Sequence, residues 1–155
     1  ATLSRAALAM RHLFTHRDYH ARNLMLHGGR LVIIDFQDAR LGPALYDLAS
    51  LLYDSYWVLD PELRQELLAE YRAGWGRIGR DEPWGDDFER RLRLCALQRN
   101  LKAIGTFASM QARKGTDAYL GYIPPTLDYA RSHFDHLPEV DELRRLLARW
   151  LPEIG

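Results

Sequence analysis

Asp18 and Asn23 stand five residues apart in the run His16-Arg17-Asp18-Tyr19-His20-Ala21-Arg22-Asn23, and Asp35 follows 12 residues after Asn23. Two carboxylates and an amide at this spacing suit three kinds of chemistry. They could form turns in a solvated loop, present hard oxygens to a cation, or make half of a phosphoryl-transfer site. The elements around them decide how they are held. Leu24–His27 and Arg30–Phe36 read as two short strands joined by Gly28-Gly29, a hairpin between Asn23 and Asp35. Leu31 to Ile34 are apolar without interruption, so the second strand is expected to be buried.

Upstream, Leu3, Ala7, Met10 and Phe14 follow helical spacing and predict one amphipathic helix leading into the charged run. Downstream, Gly42-Pro43 breaks the chain and a helix resumes at Ala44. Asp60-Pro61 is a helix start, with Asp as cap and Pro at the first helical position. Residues 74–85 read as a loop. A long helix over about 86–112 carries Leu94, Leu97, Leu101, Ile104 and Ala108 on its buried face. Residues 114–125 read as a second loop, followed by a helix from Thr126. The last helix, from Pro138, aligns Val140, Leu143, Leu147 and Trp150. The order is helix, hairpin, five helices: an α+β, helix-dominated fold in a single domain, residues 1–155.

Bulk composition narrows the function classes. The 21 basic and 21 acidic side chains cancel and are mixed along the chain, so no field recruits nucleic acid or an anionic membrane. No apolar run approaches the roughly 20 residues of a bilayer span. The single cysteine, Cys95, excludes an internal disulfide and reads as a small buried residue. Together these predict a cytoplasmic protein with neither nucleic-acid nor membrane partners.

His16-Arg17-Asp18 and Asn23 resemble, position by position, the H-R-D-x-x-x-x-N catalytic loop of protein kinases, and Asp35-Phe36 resembles the start of D-F-G, with Gln37 replacing Gly. His20 and the stretch IDFQDARLGPALYDLASLL narrow the likeness to the aminoglycoside phosphotransferase and choline kinase superfamily, whose loop commonly reads H-x-D-x-H-x-x-N. Within it, HRDYHARNLM, VIIDFQDA, GPALYDL and RNLKAIGTFA resemble the bacterial cell-wall amino-sugar kinases of peptidoglycan recycling.

The resemblance implies a protein-kinase-like C-terminal lobe whose hairpin carries the catalytic and metal-binding loops. It also implies an ATP-dependent transfer of phosphate to the anomeric hydroxyl of N-acetylmuramate or N-acetylglucosamine. Asp18 would accept the hydrogen bond of the attacking hydroxyl, and Asn23 and Asp35 would hold Mg²⁺. His16, Arg17, His20 and Asp47 would support the loop. Arg99 and Lys102 share a helix face and are candidate substrate contacts, since an Arg can grip a lactyl carboxylate in bidentate fashion. The balanced charge favours a neutral or anionic acceptor over a polycationic aminoglycoside.

No G-x-G-x-x-G loop precedes the catalytic motif, and no strand lysine of the V-A-I-K type lies upstream of it. The expected form is therefore the C-terminal lobe without its N-terminal nucleotide lobe, inactive alone, with that lobe as its partner. The rivals are another kinase of the superfamily, for choline, homoserine or an aminoglycoside, and a non-catalytic kinase-like binding module. Among single residues, Asp38 reads as a loop cap. Tyr119, Tyr122 and the tryptophans, Trp57 and Trp84 included, read as packing. His12, His16 and His20 would align as zinc ligands only on a continuous helix, and no Cys or Glu completes that set.

Overall fold

The computed structural model describes residues 3, 5 and 9–155. Two short antiparallel ladders come first. Strand β1 (His12–Thr15) pairs with β4 (Arg40–Pro43), and β2 (Leu24–His27) pairs with β3 (Arg30–Ile33). Five α-helices follow among the described residues: α1 (Tyr46–Leu52), α2 (Pro61–Arg77), α3 (Phe88–Lys114), α4 (Ile123–Asp135) and α5 (Asp141–Ala148). The α+β, helix-dominated class is as the sequence predicts.

The β2–β3 turn fixes the site's register. Gly28 and Gly29 both take positive φ, 55° and 74°, the two-residue geometry whose twist matches that of the strands. His27 therefore pairs with Arg30 and Leu24 with Ile33. The ladder extends one step further through the Ile34 N–H, which donates to the Asn23 carbonyl at 3.0 Å. Asp35 thus emerges next to Asn23 because the hairpin is the right length.

The predicted leading helix does not reach Phe14. Ala7 lies outside the described residues, while Met10 is buried and Phe14, in β1, is 75% exposed. The segment His12–Thr15 is held as a strand by β4, a non-local pairing that local periodicity cannot report. Gly42 permits it: a Cβ there would sit 3.0 Å from the Thr15 hydroxyl. The expectation that the second hairpin strand is buried also fails. Leu31, Val32 and Ile33 are exposed because no other described element covers the hairpin.

The helices close around α3, whose faces serve two cores. Leu92, Cys95 and Ala96 pack with Leu45 at the N-cap of α1, with Leu48 and Leu52 within α1, with Trp84 and with partly buried residues of α2. Leu94, Leu97 and Ile104 pack with Leu127, Ala130 and Phe134 of α4 and with Leu137, Val140 and Ile154. The third turn of this face is supplied by buried Phe107, whereas Ala108 is exposed. Asp60 caps α2 as predicted, accepting from the Glu62 N–H at 2.8 Å, but α2 continues through Arg77 into the expected loop. Helix α4 begins at Ile123 and takes both prolines into its first turn, where their missing N–H groups are not needed. Trp150 lies beyond α5 and is exposed, so the last helix is shorter than its apolar spacing suggests.

Candidate active site

The segment after β1 forms the site's floor. It is held first by Asp47, in the first turn of α1, whose carboxylate accepts from the His16 N–H at 2.6 Å and the Arg17 N–H at 2.9 Å. The His16 ring is buried, and its Nε2–H donates to the Ile34 carbonyl at 2.9 Å, joining this segment to the hairpin. Arg17 has φ of 78° and Asp35 has φ of 65°, left-handed values that cost a non-glycine residue about 1–2 kcal/mol each. The ties at both places hold that strain: Arg17 through Asp47, and Asp35 through the hairpin and Gln37 Nε2, which donates to its Oδ1 at 2.5 Å.

Asn23 is the junction. It ends a 3₁₀ turn (Ala21–Asn23), is buried, and its amide nitrogen donates to the Asp18 carbonyl at 2.9 Å and to Asp35 Oδ2 at 3.4 Å. The structure therefore brings the Asn23 and Asp35 side chains together and ties Asn23 to the backbone of Asp18. With the nitrogen so engaged, the Asn23 amide oxygen has no protein hydrogen-bond donor among the described residues. One carboxylate and one amide oxygen make a hard-oxygen set that fits Mg²⁺, which binds through one or two protein groups with water and phosphate completing its shell. Among the described residues no three His, Cys, Asp or Glu side chains cluster as a self-sufficient metal site. His12, in a strand, and His20, before the 3₁₀ turn, do not share a helix with His16.

On the other side of Asp18 lies a cleft of about 160 Å³, walled by Asp18, His20, Tyr56, Arg99, Lys102 and Phe107. Arg99 reaches from α3 to donate to the Arg17 carbonyl at 2.7 Å and stacks over Tyr46 at 4.6 Å. It ties α3 to the floor while lining the cleft. Lys102, one turn on, is exposed and has no acidic partner within 4 Å among the described residues. Burial holds the His20 imidazole below its ordinary value, against the opposing pull of Asp54 and Asp18, so the ring is neutral at pH 7. Asp38 offers its carbonyl to Arg17 Nη1 at 3.4 Å. Trp84 is core and Trp57 is exposed, while Tyr122 receives a hydrogen bond from Arg22.

Two residues escaped the sequence reading: Asp54, whose carboxylate accepts from the Ala21 N–H, and Arg22, which lies against Tyr56. A signal for Asp54 existed. Tyr-Asp occurs at 46–47 and again at 53–54, two helical turns apart, which would put both carboxylates on one face.

Residues 1–88 match the phosphotransferase enzyme family, and the chain belongs to that family. It is 41% identical over 149 residues to the N-acetylmuramate/N-acetylglucosamine kinase of Pseudomonas aeruginosa, and 38% identical over 147 residues to that of Neisseria meningitidis. Each match covers 94% of this chain and 44% of the relative. The Caulobacter vibrioides protein of the same name is 30% identical over 145 residues. The chain thus spans less than half the length of the curated relatives it matches, and the match falls in their C-terminal part. No helix among the described residues is long and apolar enough to cross a membrane.

Proposed function

We propose that residues 1–155 form one domain, the kinase-like acceptor-side lobe of an ATP-dependent sugar kinase. Its reaction would transfer the γ-phosphoryl group to the anomeric hydroxyl of N-acetylmuramate or N-acetylglucosamine, a reaction of peptidoglycan recycling in the cytoplasm. The observation that carries the reading is the Asn23 side chain, which bridges the Asp18 carbonyl and Asp35 Oδ2. The names of the relatives supply the sugar.

In this reading Asp18 accepts the hydrogen bond, and then the proton, of the sugar hydroxyl as its oxygen bonds to phosphorus and ADP leaves. Asn23 Oδ1 and Asp35 would hold Mg²⁺, which when bound would offset charge on the phosphates. Asp47 and His16 keep the loop in place, and Arg17 and His20 support it. Lys102, without an acidic partner among the described residues, faces the acceptor, and Arg99 does so with whatever donors its tie to Arg17 leaves. The exposed apolar side chains of β1, β3 and β4 and of Phe36 support a nucleotide-binding lobe of the same protein as their cover.

The test is a phosphotransfer assay on the complete kinase with each sugar, following the anomeric phosphate by ³¹P NMR. Asp18→Asn is expected to lower turnover on the order of 10²-fold or more, as loss of a positioned base does. Near-normal turnover in that variant removes Asp18 from the mechanism.

A further inference from the structure

Asp54 lies two residues beyond α1 and is only 3% exposed, yet it has no cationic partner within 4 Å among the described residues. A carboxylate buried without a counter-charge is costly unless donors satisfy it. Here both donors are backbone. Oδ2 accepts from the Ala21 N–H and Oδ1 from the Tyr56 N–H, each at 2.8 Å. Ala21 opens the 3₁₀ turn that ends in Asn23. Arg22, the middle residue of that turn, lies over the Tyr56 ring at 4.0 Å and donates to the Tyr122 hydroxyl at 2.6 Å. Asp54, Ala21, Arg22 and Tyr56 thus close a ring of contacts around the turn, independent of the Asp47 ties some four residues upstream.

We propose that Asp54 is a positioning residue: by accepting the Ala21 and Tyr56 N–H groups, with Arg22 packed on Tyr56, it sets the turn that aims Asn23 at Asp18 and Asp35. The acceptor-only chemistry of a carboxylate explains the choice of residue. Asparagine in the same pose turns an NH₂ toward one of two N–H donors, so it can serve only one of them. The functional consequence rests on the reading of Asn23 as a metal ligand, whereas the structural part does not.

Amide hydrogen exchange on the chain, read by NMR without nucleotide or sugar, tests that structural part. Asp54→Ala is expected to speed exchange at Ala21 and Asn23 about 10-fold or more, as loss of a buried acceptor does. Asp54→Asn is expected to have an intermediate effect and serves if the alanine variant fails to fold. The His16 and Arg17 amides, held by Asp47, are expected to keep their protection. Unchanged exchange at Ala21 and Asn23, or equal loss at all four amides, overturns the proposal whether or not the protein is a kinase. In the complete kinase, Asp54→Asn is expected to lower kcat about 10-fold or more with the sugar KM within about twofold. A raised sugar KM at unchanged kcat makes Asp54 a substrate contact and overturns the positioning role.

Discussion

The β2–β3 hairpin and the α3–α4 pair carry similar apolar side chains and use them in opposite ways. Leu94, Leu97, Leu127 and Phe134 are buried against one another, and that burial fixes the helices. Met25, Leu26, Leu31 and Ile33 are exposed, and the hairpin keeps its form without burying them. Its shape comes from a two-glycine turn, a short ladder and polar ties of Ile34 to the His16 ring and the Asn23 carbonyl. One half of the molecule is held by apolar area and the other by directed hydrogen bonds. The catalytic candidates all belong to the second, where position is set by geometry more than by volume.

The sharpest way to break this contrast is to remove one large side chain from each half. Phe134→Ala, at 1% exposure, is expected to destabilise by about 3–5 kcal/mol in urea unfolding. Leu26→Ala, at 78% exposure, is expected to stay within about 0.5 kcal/mol. A comparable loss from both would mean that the hairpin is held by apolar burial after all.

A polar deletion asks the converse. Asp47→Ala leaves the His16 and Arg17 N–H groups without their acceptor and is expected to cost about 2–3 kcal/mol. The same loss should raise proteolytic nicking between residues 15 and 24 while sparing the α3–α4 pair. Cleavage spread evenly over the chain would contradict a local role.

The smallest expected effect tests the helical half by pH. His133 is fully buried, its ring lies T-shaped to that of Tyr53 with centroids 4.5 Å apart, and neither ring nitrogen has a hydrogen-bond partner among the described residues. Burial, reinforced by Arg93 and Arg64, pushes its pKa down from 6.5 to about 3. Below pH 6.5 the unfolded chain takes up a proton that the folded chain refuses, so stability is full above that pH and falls toward pH 3. Between pH 7 and 5 the loss is expected to be about 2 kcal/mol from this group. His133→Phe should flatten the urea midpoint over that range relative to the parent. An unchanged slope would assign the pH dependence elsewhere.

The motif was legible because catalytic spacing is a local property. His16 to Asn23 is one loop, and the glycine pair sets how far Asp35 follows. The Asp60 cap, the long α3 helix and the buried Cys95 were legible for the same reason. Three features were not. The β1–β4 ladder joins segments some 30 residues apart, and its Gly42 reads locally as a breaker. The apolar run Leu31–Ile34 looks like a core strand, since periodicity reports hydrophobicity but not whether another element arrives to cover it. The Asp54 tie to Ala21 spans 33 residues and depends on how α1 packs.

By itself the sequence determined which groups are available and the local geometry that presents them: carboxylates and an amide on a loop, a two-residue turn, capped helices. Only the tertiary structure decided that the Asn23 amide turns its nitrogen to Asp18 and Asp35, leaving its oxygen without a donor among the described residues. It alone decided that Asp47 and Asp54 grip the same loop at different places, and that the hairpin's apolar face stays open. Spacing along a chain fixes what short segments can do, whereas hydrogen bonds and burial across tens of residues depend on where the intervening elements pack.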